Sequence, residues 1–89
     1  MVDYEQLFAM ELQKRLKNQI VGRIYVEVNR HDQLFVKIVR DDDVDKFELH
    51  LDNFSERMLN GWSTAYASYE VIQKYREFVM DIMEKKYFY

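Results

Sequence analysis

Acidic side chains are the most concentrated chemical groups in the sequence. Residues 41–56 carry seven acids and one base, a balance of −6, whereas residues 21–40 carry four bases and two acids, a balance of +2. Four acids stand in five consecutive positions: Asp41, Asp42, Asp43 and Asp45. Such a cluster can coordinate calcium, attract a basic protein or simply occupy a solvated hairpin tip. An EF-hand loop needs a central Gly and a closing Glu at its twelfth position, and here that position holds Asp52 and no Gly lies in between. We therefore predict no metal site and retain the other two interpretations.

Catalytic chemistry has little support in the sequence. The two histidines, His31 and His50, fall in a predicted turn and on the outer face of a predicted strand. Glu48 shares that face with His50, but no nucleophile accompanies the pair. The sequence contains no cysteine, so thiolate chemistry, cysteine-ligated metals and disulfides are excluded. We predict a protein that is not an enzyme, has no catalytic residues and needs no cofactor.

Alternating apolar residues predict three β-strands that position these groups, at 23–29, 34–40 and 46–51. One face of each strand is apolar and should point to the core. Tyr25, Phe35 and Val39 fall on the opposite face, where they predict a contact surface, together with Glu48. That surface could bind a protein, form a homodimer or be covered by the aromatic residues 87–89. Base stacking is the weaker alternative, because the surrounding charge is not basic.

Helical periodicity predicts a long helix at each end of the chain and a short one before Gly61. The first helix spans 3–20 and the last spans 64–86. The predicted buried positions of these two helices are Tyr4, Leu7, Phe8, Leu12, Leu16 and Ile20, followed by Tyr69, Ile72, Tyr75 (or Arg76), Val79, Ile82 and Met83.

Capping signals mark both ends of the short helix. Asn53 and Glu56 have the spacing of a capping box at its start, and Gly61 is predicted to end it with a positive φ. Trp62 should then be buried where the helices meet the sheet. The resulting fold class is α+β, a three-stranded antiparallel meander with helices packed on one face, in the order α-β-β-β-α-α.

Length and charge narrow the class of protein further. Eighty-nine residues suit a single domain covering 1–89. The predicted order is shared with double-stranded-RNA-binding domains, but their basic helix start is replaced here by Asn53, Ser55 and Glu56. Direct nucleic-acid binding is therefore disfavoured. No apolar run reaches membrane-spanning length and the N-terminus lacks a signal-peptide pattern, so we expect no membrane contact and a cytoplasmic location.

The C-terminal half resembles a known family of small inhibitors. Asn60, Gly61 and Trp62 follow the short helix, with Tyr66 four residues and Glu70 eight residues beyond the Trp. In this Asn-Gly-Trp motif and in the order of its helices and strands, the chain resembles the type II-A anti-CRISPR proteins of phages of Gram-positive bacteria. In that family a dense acidic run follows the Trp, whereas here the acids concentrate at 41–45.

The resemblance implies a phage or mobile-element protein that inhibits stoichiometrically. It implies that carboxylates mimic DNA in the basic pocket where an RNA-guided nuclease reads its PAM. The implied partner-binding residues are Tyr66 and Glu70, beside the acidic and open-face residues predicted above. The alternative is a structural or oligomerising module without inhibitory activity.

Overall fold

Three strands form one antiparallel sheet in the order β1-β2-β3, as predicted from the apolar alternation. The computed structural model describes residues 3–40 and 45–87, with side chains described up to residue 85. The elements are α1 (Tyr4–Lys17), β1 (Arg23–Val28), β2 (Leu34–Val39), β3 (Lys46–Leu51), α2 (Phe54–Leu59) and α3 (Thr64–Tyr87). The predicted α+β fold class and the order α-β-β-β-α-α are confirmed. Within the described residues, no helix is long and apolar enough to span a membrane.

The inner face of the sheet supplies half of the hydrophobic core. Strand register places Ile24 opposite Ile38, and Ile38 opposite Phe47, so that apolar residues align across all three strands. α1 packs against β1, and α3 packs against α1 and β3. The core therefore lies between this face and the helices, as burial of the following residues shows: Phe8, Leu12, Leu16, Ile24, Leu34, Val36, Ile38, Phe47, Leu51, Phe54, Ala67 and Val71.

The buried faces of the two long helices differ partly from the prediction. In α1 the predicted residues Tyr4 and Leu7 are exposed, and burial begins at Phe8 and Ala9. In α3 the predicted residues Tyr69 and Met83 are 67% and 53% exposed, and a stripe of small residues is buried nearer the start of the helix. That stripe consists of Thr64, Ala67, Ser68 and Val71. Small side chains let two helices approach closely, so packing against α1 selected them over the larger apolar residues.

α2 begins at a cap that the sequence pattern did not indicate. Asn53 occupies the N-cap position but has φ 59° and makes no side-chain capping bond, so the predicted capping box is wrong. Asp32, in the β1–β2 turn, performs this role instead. Its carboxylate accepts from the Ser55 amide at 3.0 Å and from the Ser55 hydroxyl at 2.7 Å, and its carbonyl accepts from the Phe54 amide at 2.9 Å. The turn is thereby attached to the start of α2.

The end of α2 is a Schellman motif centred on Gly61. The Trp62 amide donates to the carbonyl of Arg57 at 2.9 Å, and the Gly61 amide donates to that of Met58 at 3.1 Å. Gly61 has φ +86°, which confirms the predicted left-handed cap. Ser63 then starts α3, since its hydroxyl accepts from the Tyr66 amide at 3.5 Å.

Trp62 is partly buried and packs against the hydrophobic core, where Phe8 of α1 and Phe54 of α2 are its ring neighbours. Its ring stacks on Phe8 with centroids 5.5 Å apart and meets Phe54 edge-on at 6.4 Å. The Arg57 guanidinium covers its outer side, 5.1 Å from the ring centroid. The ring therefore closes the edge of the core, in contact with Phe8 and Phe54 and covered by Arg57.

Candidate functional site

The helix-free side of the sheet, here called the open face, carries three rows of side chains. Strand register defines the rows as Arg23–Val39–Lys46, Tyr25–Lys37–Glu48 and Glu27–Phe35–His50. Side chains directly opposite each other stand about 4.5–5.5 Å apart at Cβ, so members of a row are in contact range. The open face therefore joins the predicted residues Tyr25, Phe35 and Glu48 on one rigid surface.

The aromatic side chains of this face lie on a diagonal and do not form a continuous apolar patch. Tyr25 is 50% exposed, and its direct neighbour across β2 is Lys37. Phe35 packs on His50 with ring centroids 4.6 Å apart. Val39 was predicted to be exposed here but is only 5% exposed. Arg23 and Lys46 flank it in the register, and long basic side chains readily lay their apolar stems over a neighbour.

The charge around Tyr25 is more basic than the sequence balance suggested. Arg23, Lys37 and Lys46 line a shallow cavity with Tyr25 and Val39 at one end of the face. Glu48 is exposed and stands directly opposite Lys37. The acids Glu27 and Glu48 thus occupy the rows further from the β2–β3 connection. The open face carries both signs: Arg23 and Lys46 lie in the row nearest that connection, and Lys37 shares a row with Glu48.

The acidic cluster belongs to the β2–β3 connection. Asp41, Asp42 and Asp43 lie outside the described residues. Asp45 is half-buried, and its carbonyl accepts from the Arg40 amide at 3.2 Å, which closes the antiparallel pair. The four residues between Arg40 and Asp45 therefore connect the strands at the end of the open face that carries the bases.

The residues of the family resemblance lie on a second surface, at the α2–α3 junction. Asn60, Gly61, Trp62 and Tyr66 line a groove of about 390 Å³ together with Arg57. Tyr66 is 66% exposed and points from the first turn of α3. Glu70 is half-buried and forms an ion pair with Arg57 at 3.5 Å. This arrangement leaves Tyr66 accessible and engages the Glu70 carboxylate within the chain.

Arg57 is a central residue of this junction that sequence reasoning missed. Besides Trp62 and Glu70, it contacts the Asp52 carbonyl through Nε at 2.9 Å. It therefore links the end of β3 to α2 and α3. In the sequence Arg57 resembles any solvated helix residue, because its partners lie five and thirteen positions away. No local spacing rule could have identified it.

The two histidines lie on different elements and make different contacts. His31 is exposed in the β1–β2 turn, and its amide donates to the Asn29 side chain at 2.9 Å. His50 packs on Phe35. Among residues 3–40 and 45–87, no three His, Cys, Asp or Glu side chains are grouped so that they could hold a metal ion.

Comparison with known proteins does not place the chain in a family: no family model, curated protein or solved structure matches it.

Proposed function

We propose that this chain acts by binding stoichiometrically to a basic surface of another protein, and that the partner is an RNA-guided nuclease. The observation that supports this proposal is the Arg40–Asp45 backbone pair, which joins the acidic segment 41–45 in sequence to the end of the sheet whose open face bears Tyr25 and Phe35. Carboxylates in the β2–β3 connection and aromatic residues on the adjoining sheet would provide the two components of a specific interface.

The acidic segment supplies attraction and orientation. Residues 41–45 hold four carboxylates. Carboxylates form strong charge-assisted hydrogen bonds with arginine and lysine, and they speed association with a basic surface. Four carboxylates in five positions repel one another in the free protein, and a basic partner would relieve that repulsion.

The aromatic residues supply contact area. Tyr25 is half exposed, and Phe35 is held against His50. Tyrosine is enriched among the residues that dominate binding energy, because it buries a large area with little loss of side-chain freedom. Tyr25 is flanked diagonally by Phe35, so a partner that covers one ring also reaches the other.

The choice of an RNA-guided nuclease depends on the resemblance to type II-A anti-CRISPR proteins. Such nucleases read their PAM with arginines in a basic pocket, which an acidic protein can occupy in place of DNA. The shared element order and the Asn60–Gly61–Trp62 step support this choice. Tyr66 is exposed beside that step and is available for contact.

DNA cleavage by guide-loaded type II-A nucleases from several hosts tests the proposal. We expect wild type to inhibit cleavage with saturation at one chain per nuclease. Replacement of Asp41, Asp42, Asp43 and Asp45 by Asn should abolish inhibition. Added salt should weaken binding, since the Debye length falls from about 8 Å at physiological ionic strength to about 3 Å at 1 M.

A matched control variant separates the effect of the acidic segment on inhibition from the effect of net charge. Glu5, Glu77, Asp81 and Glu84 are exposed acids on the helices, and their replacement by Gln or Asn changes the net charge by the same amount. This variant should inhibit like wild type. Absence of inhibition by wild type against every nuclease would reject the proposed partner. Equal inhibition by the variant lacking the four segment aspartates would reject the acidic mechanism.

A further inference from the structure

The two edges of the sheet are protected to different extents. At the β1 edge, the Gln13 side chain of α1 donates to the Ile24 carbonyl at 2.8 Å. α1 also packs against β1, so one backbone acceptor of this edge is engaged by an element that lies beside it. At the β3 edge, no fourth strand pairs within the described parts of the chain. Exposed edge strands are templates for pairing with another chain.

The free backbone groups of β3 can be assigned from the hydrogen-bond pattern. The Arg40 amide donates to the Asp45 carbonyl, so Asp45 and every second residue after it direct their backbone groups toward β2. Lys46, Glu48 and His50 lie between them and direct their N–H and C=O groups to the outer edge. All three are also exposed.

We propose that β3 pairs antiparallel with β3 of a second copy, so that two sheets join into one of six strands. The proposed two-fold axis passes between Phe47 and its symmetry mate. In this register Lys46 stands opposite Glu48 of the second copy, and Glu48 stands opposite Lys46 of the second copy. Edge charges usually prevent pairing, but here opposite signs two positions apart make the edge complementary to itself.

The neighbouring registers are less favourable. If one strand slides by two residues, Glu48 comes to lie opposite Glu48 of the second copy, and like charges directly opposite each other repel. A further shift requires the outer backbone groups of Asp52. The Asp52 carbonyl already accepts from Arg57 at 2.9 Å, so α2 closes the edge at that point. The Lys46–Glu48 register is the one that satisfies both charge and access.

The inner side of the edge also suits a second copy. Phe47 packs against Tyr75 at 5.5 Å and Phe78 at 5.4 Å between ring centroids, and both α3 rings are only half-buried. Pairing about Phe47 brings the same three rings of the second copy to this position. The dimer therefore covers apolar area that a single chain leaves accessible.

This inference does not depend on the proposed nuclease partner, but it changes the predicted role of Glu48. In the pair, Glu48 lies between Lys37 of its own chain and Lys46 of the second copy. It then acts as a dimer contact and no longer as a partner-binding residue. The open faces of both copies lie side by side on one surface.

Sedimentation velocity at increasing concentration tests the register. We expect wild type to dimerise, Lys46→Glu and Glu48→Lys to remain monomeric, and the double exchange to restore the dimer. Lys14→Glu, an exposed charge reversal on α1, should dimerise like wild type. Circular dichroism confirms that each variant is folded. A wild type that stays monomeric into the millimolar range, or a double exchange that is no better than the single variants, overturns the proposal.

Two further measurements distinguish this edge from a dimer through the open face. Hydrogen exchange at the Glu48 amide should slow as concentration rises, because that N–H becomes paired. Phe35→Glu should leave the dimer intact, since Phe35 lies on the middle strand. Unchanged Glu48 exchange during association, or dissociation by Phe35→Glu with no effect of Lys46→Glu, rejects β3 pairing.

Discussion

Asp32 is the residue at which a single change should most weaken the attachment of the β1–β2 turn to α2. Its carboxylate holds the Ser55 amide at 3.0 Å and the Ser55 hydroxyl at 2.7 Å, and its own φ is +57°. Asp32→Gly keeps the left-handed backbone accessible and removes both side-chain bonds. Loss of a helix N-cap costs about 1 kcal/mol, and loss of an exposed hydroxyl bond costs a further ~0.5 kcal/mol. We therefore expect the free energy of unfolding to fall by about 1.5 kcal/mol.

Urea unfolding followed by circular dichroism measures this change. Asp32→Asn should lose less than Asp32→Gly, because Asn retains an acceptor and tolerates positive φ. Asp32→Ala should lose more, since an Ala at φ +57° adds about 1 kcal/mol of backbone strain. Ser55→Ala combined with Asp32→Gly should be less than additive, as the two residues share one bond. Strict additivity, or an Asp32→Gly variant as stable as wild type, would refute the capping role.

Substitutions at three other positions test the remaining structural claims by the same urea assay. Gly61→Asn should cost less than Gly61→Val, because no atom lies within 4 Å of a Cβ there and only the φ of +86° penalises a side chain. Equal stability of those two variants would contradict the left-handed cap. Gly22→Ala should be more damaging than Gly61→Ala, since its Cβ would stand 2.7 Å from the Val39 carbonyl oxygen; the reverse order would contradict the close approach of Gly22 to β2. Trp62→Ala should cost about 2 kcal/mol, below the ~3–5 kcal/mol of a fully buried ring, because the indole is only partly buried. A loss above that range would show that Trp62 belongs to the core.

The strands were predictable because their signal is local. Apolar alternation located all three strands to within one residue at their ends, and the inward residues Leu34, Val36 and Ile38 are fully buried. Gly61 was predictable for the same reason, since Asn-Gly after an apolar helix face is a short-range cap signal. These features depend on neighbours within a few positions along the chain.

Features that depend on distant partners were not predictable. The α2 cap comes from Asp32, which lies more than twenty positions before Ser55. The buried face of α3 was rotated from the prediction because close packing on α1 favours Ala67 and Val71 over the larger Tyr69. A hydrophobicity pattern ranks residues by size and apolarity, and it carries no information about how closely two helices approach.

The same contrast holds for the candidate site: the residue types could be read from the sequence, but their neighbours in the fold could not. The sequence alone showed the acids at 41–45 and predicted Tyr25 and Phe35 on the open face, but strand register decided the neighbours of these two aromatic residues. Register sets Lys37 between Tyr25 and Glu48, so the sheet partly neutralises its own charge. The acids at 41–45 are the densest run of carboxylates in the sequence, while Glu48 lies directly opposite Lys37 in the sheet. A basic partner should consequently contact the β2–β3 connection, and the alternating charges of β3 are better suited to pairing with their own copy.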